Sequence, residues 1–259
     1  MAGIAGIYIA GSSIGGFAGR FVPGLLGDLI GWRGAFLILA GMSLAGAIAV
    51  ALLLPREKHF VRSEGLATST RQMLRHLRNP QLLATFAIGS GVLFNFIAIF
   101  TYVSFHLAGP PYYFSSAVLG TIFACYLVGT VVSPMTGWAI AQLGRRRLLL
   151  TIMATWSTGA LFTLAPPVVV IVIGMTLCAA CGMLVQTIST GYVTAIAKSG
   201  RSSAVGLYVT AFYIGGSLGA FLPGLIWDWG GWPACVAMVV GVQAAMALIA
   251  ALAYRRVTV

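Results

Sequence analysis

Four acids, three histidines and four cysteines are all the carboxylates, imidazoles and thiols that the 259 residues supply. The acids are Asp28, Glu57, Glu64 and Asp228; the histidines are His59, His76 and His106. Serine and threonine are plentiful in the apolar stretches, yet no base stands beside them there. The arrangement that activates a hydroxyl nucleophile is missing, and an enzyme is not expected. Cys178-x-x-Cys181 has a spacing used for metal or redox work, but no second pair and no histidine lies near it. With Cys125 and Cys235 it reads as small apolar packing inside helices, so no metal and no cofactor is expected. The remaining candidates are polar, aromatic or charged groups set deep in apolar sequence: Asn95, Tyr102, Tyr126, Gln186, Thr190, Tyr208, Phe212 and Arg20. Groups of that kind can line a path for a small molecule.

The elements that hold these residues follow from composition. Apolar residues make up 59% of the chain and charged ones 7%, with a mean hydropathy of +0.99. A soluble domain carries about 25% charged residues, so this chain cannot cover a water-facing surface. Charge-free runs cover 34–55, 79–144, 148–197 and 229–254. At roughly 20 apolar residues per bilayer crossing, they hold one, two, two and one spans. Residues 3–29 and 203–227 add two more, which predicts an all-α membrane protein of about eight transmembrane helices. Soluble enzymes, nucleic-acid binders and secreted disulfide scaffolds are excluded. The net charge of +11 is a matter of orientation. With eight spans, thirteen bases (Arg56, Lys58, Arg62, Arg71, Arg75, Arg78, Arg145, Arg146, Arg147, Lys198, Arg201, Arg255 and Arg256) fall on one side and Arg33 on the other. That bias predicts that both termini and the basic loops face the cytoplasm, in an inner or plasma membrane. The first span lacks a basic leader and carries Arg20, so it does not read as a signal peptide.

Compared with itself at an offset of 200, the chain matches at thirteen of the twenty-seven positions from 6–32 against 206–232. Gly6, Gly15, Gly19, Pro23, Gly24, Asp28, Gly31 and Trp32 recur as Gly206, Gly215, Gly219, Pro223, Gly224, Asp228, Gly231 and Trp232. The first two spans therefore read as a second copy of the last two, in the same orientation, which is how transporters built from two similar halves repeat. The division expected is 1–54 as the last two helices of an N-terminal half, 55–80 as a central cytoplasmic loop, and 81–259 as a six-helix C-terminal half. Four further spans are expected to precede Met1 in a longer reading frame or to come from a separate chain with which this membrane subunit pairs; the alternative is a truncated, inactive remnant of such a gene.

On these residues the chain resembles a major facilitator superfamily transporter, closest to the drug:proton antiporter and sugar-efflux branch, beginning at the fifth of twelve helices. Gly6, Gly15, Gly19 and Gly24 match that branch's fifth-helix antiporter motif, with Arg20 in place of its proline and Pro23 in place of a glycine. Gly31-Trp32-Arg33-x-x-Phe36 is similar to the turn into the sixth helix. Gly137-x-x-x-Ala141-Gln142-x-Gly144-Arg145-Arg146-Arg147 resembles the cytoplasmic-loop motif without its aspartate, and Leu77-Arg78-Asn79-Pro80 resembles the entry to the seventh helix. The resemblance implies alternating-access transport of a small organic solute, with efflux the expected direction. It also implies that the spans holding Asn95 and Gln186 border a central cavity.

Spacing adds detail. Gly11, Gly15 and Gly19 share one helix face, as do Ala211, Gly215 and Gly219, and Gly129, Ser133 and Gly137. Such stripes allow close helix approach, either as static packing or as the contact along which halves rock. Pro23 with Gly24, and Pro223 with Gly224, fall in the expected last turns of their spans, where proline can bend a helix. Asn95 and Tyr102 share a face, as do Gln186 and Thr190; each pair reads as cavity lining or as interhelical hydrogen bonding. Residues 70–78 read as a short interfacial helix or as a basic linker. No carboxylate lies within a span, so a transported proton would need residues outside this chain. Arg20 either snorkels to an interface or faces the bundle interior, pairing with a carboxylate of other spans or with an anionic substrate.

Overall fold

Gly31 and Gly231, the repeat mates, adopt the same left-handed backbone, with φ of +76° and +56°. In the computed structural model of the protein, which describes residues 2–54, 66–197 and 199–254, each bends a long helix into a pair. α1 (Ala2–Leu53) turns at Gly31 and α9 (Arg201–Ala253) at Gly231. Only a residue without Cβ adopts that backbone at little cost, which is why both copies of the repeat have glycine there. The prolines do not mark the ends of the spans. Helical backbone runs on through Pro23 and Gly24 to Gly31, and through Pro223 and Gly224 to Gly231. Pro23-Gly24 and Pro223-Gly224 thus lie about two helical turns before the bends, in the closing turns of their segments. The basic residues Arg56, Lys58, Arg62, Lys198, Arg255 and Arg256, the acids Glu57 and Glu64, and His59 lie outside the described residues, as do the side chains around Gly6.

Between the two bent pairs run α2 (Leu66–His76), α3 (Pro80–Ala108), a broken helix over Ser116–Leu143, α7 (Arg145–Phe162) and α8 (Val168–Ile196). No strand occurs among the described residues. Five of these helices are long and apolar enough to cross a bilayer. Two of the five are the bent pairs, and α7, 18 residues long, starts with three arginines. An 18-residue helix is about 27 Å long, close to the roughly 30 Å hydrocarbon core. The result is an all-α membrane protein, with eight membrane-length segments among the described residues.

Local signals account for most boundaries. Asn79 accepts the Gln81 and Leu82 amides at 3.0 and 3.4 Å, and Pro80 opens α3 at the position where a missing N–H costs nothing. The broken helix is less regular. It comprises α4 (Ser116–Ile122), a 3-10 stretch Phe123–Leu127, α5 (Val128–Val132), a second 3-10 turn Ser133–Met135, and α6 (Thr136–Leu143). Pro134 accounts for the second interruption; no proline or glycine within the first accounts for it. Gly144, at φ +71°, turns α6 into α7.

The core lies among α3, α7, α8 and α9, where Phe100, Trp156, Tyr192 and Met246 are fully buried. α9 reaches α3 closely because a Cβ on Gly215 would meet the Ser90 carbonyl, and one on Gly219 would lie 2.7 Å from Phe94 Cα. On α1 the equivalent stripe does something else: Gly11, Gly15 and Gly19 have no atom within 4 Å of a built Cβ. Among the described residues nothing packs against that face of α1 at these glycines. The contact lies on the neighbouring face, through Gly16, Arg20 and Gly24. The repeat mates Gly24 and Gly224 also part company. Gly24 faces backbone of α4, whereas a Cβ on Gly224 would sit 2.8 Å from the Tyr102 hydroxyl of α3, a side-chain contact. α2 extends over Leu66–His76, replacing the expected bounds 70–78. Its end is tied to the turn before α9, through Arg75 Nη2 to Ser199 Oγ and His76 Nε2 to the Gly200 carbonyl at 3.2 Å.

Candidate functional site

The first segment of α1 lies along the broken helix, and their seam is lined from Gly16 to Asp28. A Cβ on Gly24 would sit 2.5 Å from the Ser116 carbonyl, and one on Gly120 would sit 3.1 Å from Phe21 Cα. Glycine on both sides is what allows backbone to approach backbone there. At the Gly31 end, Asp28 accepts the Ser116 amide at 3.2 Å and the Ala117 amide at 2.9 Å. These are orphan donors of the first turn of α4, and a carboxylate also complements the positive end of that helix.

Deeper in the seam, Arg20 projects from α1 over the 3-10 stretch. Its guanidinium carbon is 4.9 Å from the ring centre of Phe123 and 5.1 Å from that of Tyr126. Tyr126 in turn packs against Phe96 at 5.0 Å and against Phe100, edge-on, at 4.7 Å. Eleven residues separate Arg20 from the turn at Gly31, about 16 Å along a helix. Half a hydrocarbon core is about 15 Å, so Arg20 sits near mid-depth. Inserting an arginine there costs about 2.5–3.5 kcal/mol. Contact with aromatic faces returns roughly 0.5–2 kcal/mol. The rings offset part of the cost, and among the described residues no carboxylate pairs with the guanidinium.

The other sequence candidates separate into two groups. Asn95 is fully buried between α3 and α9, donating to the Gly91 carbonyl at 2.9 Å and contacting Met246 Sδ at 3.4 Å. Tyr102 donates to the Ala220 carbonyl at 2.7 Å, in the turn before Pro223 and Gly224. The rings of Tyr208 and Phe212 lie 6.0 Å apart, tilted by 30° to one another, inside the core. Gln186 and Thr190 are exposed on α8, joined by Thr190 Oγ1 donating to the Gln186 carbonyl at 2.9 Å. Their exposure continues on α9 through Gly206, Thr210, Tyr213 and Ser217, a polar stripe at helical spacing. The structure thus brings Arg20 and Tyr126 together, keeps Asn95, Tyr102, Tyr208 and Phe212 in the core, and sets Gln186 and Thr190 on an open face.

In the loop motif, Arg145 lies 4.3 Å over the Tyr192 ring, Gly137 faces open space, Arg146 is half-buried and Arg147 is exposed. All four cysteines are buried and free, with Cys178 Sγ 3.8 Å from the Trp156 carbonyl. Sequence reasoning missed Phe123, Phe96, Phe100 and the capping role of Asp28. The three-residue spacing of Phe123 and Tyr126, and the recurrence of Asp28 as Asp228, were the available signals.

A parallel repeat of helix pairs and helices long and apolar enough to cross a bilayer define a multi-pass membrane protein. The sequence pattern described as the Major Facilitator Superfamily matches residues 2–112 and residues 93–258, and the chain belongs to that family. It is 30% identical over 228 residues to an uncharacterized transporter of Buchnera aphidicola subsp. Schizaphis graminum, covering 88% of this chain and 55% of that one. The MFS-type transporter YybF of Bacillus subtilis, also uncharacterized, is 29% identical over 235 residues, covering 90% and 58%. The inner membrane transport protein YnfM of Escherichia coli is 30% identical over 229 residues, covering 88% and 55%. The chain spans a little over half the length of these curated relatives.

Proposed function

We propose that the protein is part of a secondary transporter that moves a small organic solute out of the cell by alternating access. Residues 81–259 form one six-helix half. Residues 1–54 supply two helices of the other, residues 55–80 link them on the cytoplasmic side, and both termini are cytoplasmic. In this division four further helices complete the N-terminal half. The drug:proton antiporter and sugar-efflux branch is the group whose motif the glycines of α1 follow, and any coupling proton is carried by those other helices.

The observation that carries this reading is the seam itself. Its two walls fall in different halves of this division, and its contacts are glycines, one carboxylate cap and the Arg20 guanidinium over two rings of the broken helix. Such a surface separates without tearing apart a packed core, and a 3-10 stretch supplies a place to flex. The bases support the orientation.

Expression in a bacterial host lacking its own efflux systems tests the proposal, by measuring accumulation of a panel of labelled organic solutes. Lower accumulation of some solutes than in cells carrying an empty vector supports it. Accumulation equal to the empty vector across the panel, from a gene that includes any in-frame upstream spans, overturns it.

A further inference from the structure

The unpaired charge at mid-depth points to the chemistry of the solute. Arg20 is the one cation on the seam among the described residues, and its repeat mate is Ala220, whose carbonyl is closed off by the Tyr102 hydroxyl. The scaffold therefore holds together at the second copy of this position without any charge. At the first copy the guanidinium reaches away from its own helix to the other wall. There it lies over Phe123 and Tyr126, where the helix unwinds into a 3-10 stretch.

A guanidinium over a ring uses its charge and its face, and its five N–H donors stay in a planar fork that fits a carboxylate. A second donor stands beside it. Tyr126 is 3% exposed, and its buried hydroxyl has no hydrogen-bond partner. Tyr192 and Tyr208 also carry buried hydroxyls without a partner, and Arg145 lies over the Tyr192 ring; the Tyr126 hydroxyl is set apart by belonging to a ring under the one cation on the seam, where a bound anion would give it an acceptor. Phe96, Phe100 and Phe123 pack directly against the Tyr126 ring, at 5.0, 4.7 and 5.5 Å between centres, so the apolar surroundings of the hydroxyl are aromatic. A fork of N–H groups, a spare phenol and a wall of rings together fit a carboxylate carried on a flat apolar body.

We infer that Arg20 and Tyr126 bind the carboxylate of an aromatic organic acid, against the Phe96–Phe100–Phe123 wall. This rests on the transporter reading above and names the class of solute for it. Arg20 supplies the charge, Tyr126 the second hydrogen bond, and the rings select a planar hydrocarbon portion.

The test uses the whole chain, purified in detergent, with benzoate, its neutral analogue benzamide and its cationic analogue benzylammonium as probes. Thermal unfolding is followed with each probe over a concentration series. The expected result is a saturable rise in the unfolding midpoint with benzoate alone. Arg20→Leu is expected to abolish that rise, Arg20→Lys to keep part of it, and Tyr126→Phe to weaken apparent affinity several-fold. Helical circular dichroism and the midpoint without probe show that each variant is folded. If Arg20→Leu does not fold, the contrast between benzoate and benzamide in the unmodified protein and in Tyr126→Phe decides. Equal responses to benzoate and benzamide, or no response to benzoate, overturn the inference. So does a benzoate response that survives in Arg20→Leu. An unresponsive protein that loses stability on Arg20→Leu would mark Arg20 as the partner of a protein carboxylate. In each of these failures, lowered solute accumulation in cells would leave the transporter reading standing.

Discussion

Asp28 on α1 accepts the backbone amide of Ala117 at 2.9 Å, across the seam between α1 and the broken helix. The other carboxylate oxygen takes the Ser116 amide. One side chain thus closes the first turn of a helix that belongs to the opposite wall. Asp28 recurs as Asp228, at the same place before the turn at Gly231. Asp228 is exposed.

Gly24 and Gly19 differ by five positions and in everything that surrounds them. A Cβ on Gly24 would lie 2.5 Å from a backbone carbonyl, whereas one on Gly19 would meet nothing within 4 Å. Gly24→Ala is expected to lower the unfolding midpoint in detergent by several degrees, since overpacking against backbone typically costs about 1–3 kcal/mol. Gly19→Ala is expected to leave it unchanged within error. Comparing the two melting curves checks the placement of the seam.

Trp32 and Trp232 give a second contrast. Trp232 is 3% exposed, donates its indole N–H to the Thr163 carbonyl at 3.0 Å and stacks on His106. Trp32 is 61% exposed, against Phe36 and Arg33 only among the described residues. Trp232→Ala is expected to destabilise strongly, on the order of 3–5 kcal/mol for a buried aromatic. Trp32→Ala is expected to cost under about 1 kcal/mol in this chain. Equal losses would mean that the two copies sit in equivalent surroundings.

Orientation has its own check. A phosphatase fused after Arg256 is expected to be inactive, and a fluorescent protein at the same place to be bright, because the basic loops lie on the cytoplasmic side in the proposed topology. Phosphatase activity in intact cells would reverse the assignment.

The helices were legible because a bilayer leaves few choices: charge-free runs of the right length become spans, and Asn79-Pro80 starts one. The turns at Gly31 and Gly231 were legible through the repeat, since two glycines followed by tryptophan at the same register mark one geometry used twice. The choice of face was not. Spacing showed that Asn95 and Tyr102 lie on one side of α3, but not that this side meets α9; Gln186 and Thr190 share a face that stays open. Gly24 and Gly224 match in the repeat, yet one meets backbone and the other a tyrosine hydroxyl, because different helices lie against them. Likewise Gly15 and Gly19 form a stripe, yet the helix uses the neighbouring face, because the wall it meets follows Gly120, Phe123 and Tyr126. The 3-10 stretch at Phe123–Leu127 has no proline or glycine to announce it. It comes from packing, which is not written in local sequence.

The central claim is that the seam between α1 and the broken helix opens and closes, and the most direct measurement is a distance across it. Spin labels on Leu29 and Val118, both exposed beside the Asp28 cap, report that distance by pulsed electron paramagnetic resonance in lipid nanodiscs. The native cysteines are first replaced by serine or alanine. Two distance populations are expected, and Asp28→Asn, which removes the charge at the first turn of α4, is expected to enlarge the longer one. A single narrow distance, unchanged by Asp28→Asn, would contradict the account.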